Sequence, residues 1–166
     1  MLRDQVDRIQ EQWRAERPDL DPTPQGVIGR LHRIGARLHD ELVAVYREHG
    51  LGEGDFDVLA ALRRTGEPYE LPAGELAEHT MITTGGMTKR LDRLEQAGFI
   101  SRRIDAEDAR VRRVRLTDCG LEVIDSAFGD HMRNEARLLA ELPASDRMAL
   151  ERILRDWLVR VEGAVD

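Results

Sequence analysis

The 166-residue chain has one cysteine, Cys119, which excludes an intrachain disulfide and a cysteine-built structural zinc site. No apolar run approaches the roughly 18 residues that a membrane span needs. The opening segment MLRDQVDRIQEQW has no apolar signal-peptide core, so a cytoplasmic protein is expected. Internal repeats and low-complexity segments are absent. So are a Gly-rich phosphate loop, a nucleophile elbow and a His-Glu-x-x-His motif, so neither an enzyme nor a bound cofactor is expected. His32 and His39 lie seven apart on one helix face, but no third ligand converges on them, and no metal site is assigned. A formal charge of −7 excludes a protein that coats DNA over its whole surface.

What is present is a strong helical pattern: 41% of residues are hydrophobic and 34% charged. Val6, Ile9 and Trp13 continue from Leu2 as one face of a first helix, which the prolines of ERPDLDPTP end. A second helix is predicted from about Gln25 to Glu48, with Val27, Ile28, Leu31, Ile34, Leu38, Leu42 and Val45 as its stripe. Gly50 is its stop. A third spans roughly Glu53–Arg64 and buries Phe56, Leu59 and Leu62. Thr117 can cap a long helix to about Leu142, Pro143 ends it, and a last helix starts near Ser145. Helices at both chain ends, too apolar on one face to stand alone, predict a dimerisation bundle.

Residues 71–117 carry the functional signal. A short helix, Leu71–Thr80, is expected to turn into a longer one, Thr83–Ala97, capped by Thr83 and stopped by Gly98. Two basic strand-like runs follow, flanking the turn-forming DAEDAR. Together these predict a helix-turn-helix with a β-wing, a shape that sets one helix in a DNA major groove and a hairpin beside it. From Lys89 to Arg115 the chain has nine basic and five acidic residues, net +4, leaving the remainder at net −11. Such a local cationic stripe is a phosphate-binding footprint.

Met87, Leu91 and Leu94 form the inward stripe of the Thr83–Ala97 helix, with Gly85, Lys89 and Arg93 opposite and Thr84 and Thr88 nearer the flanks. Expected DNA contacts are Thr83, Thr84, Gly85, Thr88, Lys89 and Arg93 on that helix, and Arg110 and Arg112 on the wing. Asp108 is placed to hold the guanidinium of Arg110, the minor-groove probe. Arg90 lies about 65–70° from the centre of the inward stripe, at the edge of the core. Arg90 and Asp57, the latter set in an otherwise apolar helix, both need a partner.

FDVLAAL, ELAEHTMITTGGMTKRLDRLEQAGFISRR and DAEDAR followed by VRLTDCG resemble the MarR family of winged-helix transcription regulators. The wing signature lies in Asp105, Asp108 and Arg110 with the closing strand and Leu116, Thr117 and Gly120. The resemblance covers nearly the whole chain. It implies a mainly α fold with a small β-wing, and a homodimer whose terminal helices intertwine. Residues 1–50 would supply the added N-terminal and dimerisation helices, 51–117 the DNA-binding unit, and 118–166 further dimerisation helices. The implied function is a repressor on double-stranded DNA with a palindromic operator, released by a small ligand.

The extra N-terminal helix with Trp13 and the following ERPDLD resemble the urate-responsive branch of that family (PecS- and HucR-like regulators). The branch's ligand-sensing positions are matched by Trp13, Asp57, Arg90 and Arg102. A planar anion would stack on Trp13, pair with Arg90 and upset an Asp57–Arg102 link. Two alternatives stay open on sequence alone. One is a redox switch through Cys119, at the start of a helix; the other is a ligand-insensitive DNA-binding module.

Overall fold

The computed structural model describes residues 3–52, 54–76, 80 and 86–163. Within them run α1 (Gln5–Glu16), α2 (Gln25–Glu48), α3 (Asp55–Arg64), β1 (Glu70–Pro72), α4 (Met87–Gln96), β2 (Ile100–Ile104), β3 (Arg112–Leu116), α5 (Asp118–Leu139) and α6 (Ala144–Glu162). The fold is mainly helical with one small antiparallel sheet, ordered β1-β3-β2. Among the described residues no helix is long and apolar enough to cross a membrane.

A reciprocal cap starts α1: the Asp4 carboxylate accepts from the Val6 and Asp7 backbone N–H groups, while Asp7 accepts from Asp4. Arg30 of α2 bonds both acids and ties α1 to the first half of α2. Its guanidinium is the main reason the Asp4 carboxyl is held down at about 2. Gln10 turns inward and donates to the Pro22 and Thr23 carbonyls, so the α1–α2 loop is pinned as well.

The core lies where α2, α3, α4, α5 and the sheet meet. Val58, Leu59 and Leu62 of α3, Leu91 and Leu94 of α4, Val114 of β3 and Ile124 of α5 are buried together. The expected inward stripe of the fourth helix is therefore the packed one. In the sheet, Val114 and Leu116 face the core, while Arg115 between them is exposed, the period-two alternation of a half-buried strand.

Two expectations about the reading head change. Residues 70–72 form a strand, with Leu71 opposite Val114, so the predicted helix does not begin at Leu71. The backbone of this segment gains ladder bonds to β3 that a helix start would lose. The longer helix is described from Met87, after Gly86 at φ +89°, to Gln96, with Ala97 as its C-cap ahead of Gly98 at φ +76°. Thr83, Thr84 and Gly85, and the expected Thr83 cap, lie outside the described residues.

Thr117 caps α5 as the sequence predicts: its side chain accepts from the Gly120 N–H, and its hydroxyl donates to the Gly98 carbonyl. Gly120 is packed so tightly that a Cβ there would fall 1.9 Å from the Phe99 carbonyl oxygen. Backbone, not a flexible side chain, occupies that space. Gly120→Ala is therefore expected to cost at least about 1–3 kcal/mol of stability, the usual penalty for overpacking. Denaturant midpoints for the two proteins at constant m-value check this.

Candidate nucleic-acid interface and effector pocket

The wing tip behaves as its sequence suggests. Asp108 accepts from the Arg110 backbone N–H at 2.9 Å and from its Nε at 3.2 Å, while the Arg110 side chain remains 92% exposed. Asp105 accepts from the backbone N–H groups of Glu107 and Asp108 and pairs with Arg113. The Arg113 contact comes first among the causes that bring the Asp105 carboxyl down to about 2. The loop thus holds its shape through its own acids and presents one cation outward.

Not every arginine of the stripe is equally available. Arg103 forks onto Glu70 at 2.7 and 3.0 Å, and Arg113 approaches the same carboxylate. Thr88 and Lys89 are exposed on α4 and Arg112 on β3; Lys89 and Arg112 form no ion pair among the described residues. Thr88, Arg102, Arg103 and Arg112 line a cleft of about 510 Å³ between α4 and the wing.

Arg93, expected on the DNA side, is engaged elsewhere: its Nε and Nη2 bond the two oxygens of Asp55 at 3.0 and 2.5 Å. The Asp55 side chain is only 3% exposed and also accepts from the Gly52 N–H at 2.7 Å. That bidentate pair fastens α4 to the start of α3. Asp55 escapes a sequence reading because its partner lies 38 residues away and no local pattern joins them.

Three residues nearer the start of α4, Arg90 sits against Gly54, the left-handed residue that opens α3 at φ +75°. A Cβ at Gly54 would meet the Arg90 guanidinium carbon at 2.6 Å, so glycine is what admits the arginine. The Nε and Nη1 atoms of Arg90 are buried and have no hydrogen-bond partner among the described residues. Gly54 and Asp57 line a cavity of about 350 Å³ with Tyr46, Phe56, Phe128 and His131. The Tyr46 and Phe56 rings stack at 4.3 Å, and His131 lies 4.8 Å from Phe56. Burial pushes the Asp57 carboxyl above its ordinary value, against a smaller opposing pull from Arg90. Burial likewise pushes the Tyr46 hydroxyl up to about 12.

The four residues matched to ligand sensing do not converge within the chain. Asp57 and Arg90 are electrostatic neighbours. The expected Asp57–Arg102 link is not formed, because Arg102 bonds Glu95 through its Nε at 2.8 Å and pairs with Asp92 at 2.8 Å. Those acids sit on α4 beside β2 and occupy the Arg102 guanidinium. Trp13 is 48% exposed and lines a separate apolar cleft with Leu20, Pro22 and Pro24. Cys119 is exposed in the first turn of α5.

A MarR family model matches residues 49–111. The HTH-type transcriptional regulator PecS of Dickeya dadantii is 37% identical over 150 residues, 90% of each chain. An HTH-type transcriptional repressor of Mycobacterium tuberculosis is 31% identical, covering 81% of this chain and 93% of its own. Among solved structures, a MarR family regulator from Streptomyces coelicolor in complex with DNA superposes with TM-score 0.75 at 23% identity. It covers 86% of this chain and 90% of its own. Escherichia coli MarR complexed with operator DNA gives 0.69 at 23% identity, covering 81% and 94%. These two likenesses carry the fold.

One consequence of the Asp57 environment is measurable. Its folded-state pKa is raised, so the folded state holds the proton longer than the unfolded chain does. The favourable state is complete below the unfolded carboxylate value and is lost as pH rises through the folded one. Asp57→Asn, which cannot ionise, is expected to be more stable than wild type at neutral pH. The gap should shrink as pH falls to about 4 and below. Thermal melts across pH 3.5–8 check this; a gap independent of pH would contradict the shift.

Proposed function

Because this chain belongs to the MarR family of winged-helix transcription regulators, we propose that it is a homodimeric repressor released from a palindromic operator by urate or a similar small planar anion. DNA binding and transcriptional regulation come with the family. The dimer, the operator symmetry and the effector are our reading.

On DNA, α4 enters the major groove and the wing lies alongside, with Arg110 reaching the minor groove. Thr88 and Lys89 of α4 contact the DNA, Thr83, Thr84 and Gly85 are assigned to the same interface, and Arg112 reaches a phosphate from the wing. Asp108 orients Arg110. Arg93 helps by fixing the angle of α4 through Asp55, and its exposed edge is left to face the backbone. Val27, Ile28, Ile34 and Leu38 of α2, with Ile153, Leu154, Trp157 and Leu158 of α6, form exposed apolar faces that a second copy would cover. A two-fold dimer sets two recognition helices about one DNA turn, roughly 34 Å, apart and so reads a palindrome.

The observation that carries the effector half is that two buried nitrogens of Arg90, Nε and Nη1, are unbonded among the described residues. Such a group is costly to leave unpaired, and an anion arriving at the adjoining cavity would relieve it. A planar ligand fits beside the stacked Tyr46 and Phe56 rings. Asp57 would oppose its charge, and the resulting shift of α4 would lower DNA affinity. Trp13 and Arg102 complete the sensing set, Arg102 by joining α4 to the wing through Asp92 and Glu95. The ligand acts only to the extent that it binds the two conformations differently.

Fluorescence anisotropy on the chain's own upstream intergenic DNA, at fixed salt with and without urate, tests this reading. Tight, salt-sensitive binding that urate weakens is expected; binding unmoved by urate would discard that effector. Arg110→Ala should weaken operator binding several-fold with the dimer intact by light scattering. Unchanged affinity would remove the wing from the interface. Trp13→Phe and Asp57→Asn should each blunt urate release while DNA affinity falls only modestly, and a full response in both would sink the pocket.

A further inference from the structure

The outer face of the wing carries two arginines directly across from each other. Arg103 of β2 is paired with Arg113 of β3, so both side chains leave the sheet on the same side. Arg115 joins them two residues on, while Val114 between points into the core. Like charges in directly opposed positions push two strands apart. A hairpin with no other support would relieve that repulsion by splaying towards its free end, which is where Arg110 sits.

Glu70 of β1 removes the repulsion. It stands opposite Arg115, on the same outer face, and its carboxylate reaches across the central strand to β2. One oxygen accepts from Arg103 Nη2 at 2.7 Å, and the other from Arg103 Nε at 3.0 Å. Arg113 Nε lies 3.8 Å from the first of these oxygens. The Glu70 side chain is only 7% exposed, while both arginines that hold it remain partly open to solvent. β1 is itself fixed at both ends: the Tyr69 carbonyl accepts from the Leu116 N–H, and the Ala73 N–H donates to the Arg112 carbonyl.

From this fixed post a continuous series of charged contacts leads to the tip. Arg113 pairs with Asp105, and Asp105 accepts from the Glu107 and Asp108 backbone N–H groups. Asp108 then holds Arg110 by its backbone N–H and its Nε. The exposed arginine ends a chain whose other end is a buried carboxylate.

We propose that Glu70 is a positioning residue for DNA binding: by neutralising the Arg103–Arg113 pair it fixes the aim of Arg110 without itself touching DNA. The proposal rests on the wing reading above and adds what aims the wing. Charge alone predicts the opposite result. Glu70→Gln removes a negative charge from the wing, so a purely electrostatic role gives tighter binding to phosphates. Positioning gives weaker binding, and only while Arg110 is present to be aimed.

The test is a double-mutant cycle of wild type, Glu70→Gln, Arg110→Ala and both together. Affinity is read by fluorescence anisotropy on the chain's own upstream intergenic DNA at fixed salt, and thermal melts and light scattering check that each protein is folded with the wild-type mass. Glu70→Gln is expected to weaken binding about three- to tenfold in the wild-type background and less than about twofold in the Arg110→Ala background. Equal or tighter binding by Glu70→Gln overturns the proposal. So does a loss as large in the Arg110→Ala background as in wild type, because Glu70 would then act on the fold at large. If Arg110→Ala binds as wild type does, the wing reading falls and takes the proposal with it. Loss on Arg110→Ala with none on Glu70→Gln overturns the proposal alone.

Should Glu70→Gln fail to fold, Glu70→Asp keeps the charge and draws the carboxylate back by about 1.5 Å, one carbon–carbon bond. The same cycle then decides. Loss confined to the background that retains Arg110 is expected, and loss in both backgrounds or in neither overturns the proposal.

Discussion

Everything at the reading head depends on how α4 is fastened to the start of α3. α4 has ten residues, opens on a left-handed glycine with no side-chain cap, and on its own would be too short to hold together. Two apolar anchors, Leu91 and Leu94, bury its inner face. The Arg93–Asp55 pair then sets its rotation about that face. Asp55 is almost fully buried and satisfied on both oxygens, so losing the arginine would strand a carboxylate beneath the surface. Glycines at 52 and 54 are what let both arginines come this close to the α3 backbone.

The same seam makes α4 a junction among three neighbours. Arg102 of β2 grips Asp92 and Glu95 on its outer side. At its far end, Gly98 receives the Thr117 hydroxyl, and Thr117 in turn caps α5. A small displacement at Arg90 therefore cannot stay local. It must be shared among α3, the wing and the long helix that leads to the apolar bundle. On the effector reading proposed above, an anion bound beside Gly54 lowers DNA affinity without touching a DNA-facing side chain. It does so by biasing a tightly packed joint between discrete arrangements.

Much of this was legible from local pattern. The apolar stripe and flanking punctuation give α2 from Gln25 to Glu48, as observed. Thr117 and Gly98 act as the cap and the stop that their residue types suggest. Asp108 holds Arg110 because two residues in a tight loop can hardly avoid meeting. What escaped was made by long-range pairing. β1 has only three residues and owes its extended form to β3, more than forty residues on. Arg93 and Arg102 each have a geometry set by acids that helical spacing alone does not select. Trp13 can be matched by likeness, yet its place depends on which half of α2 α1 packs against.

Charge counting shows the same limit in a form that bears on mechanism. Nine cations between Lys89 and Arg115 suggest a broad phosphate-binding surface. Yet Arg93, Arg102, Arg103 and Arg113 already face carboxylates in the folded protein, and several of those pairs build the wing and the α4 seam. A cation engaged in this way neutralises less of a phosphate, because approaching DNA must first compete with its resident acid. The exposed set is smaller: Lys89, Arg112 and Arg115, which form no ion pair among the described residues, and the outward Arg110 held by Asp108. Counterion release scales with phosphates actually neutralised, at roughly −0.9 in log–log slope for each. The salt dependence of this regulator should therefore follow those few positions in each subunit, with the other arginines acting as the frame that aims them.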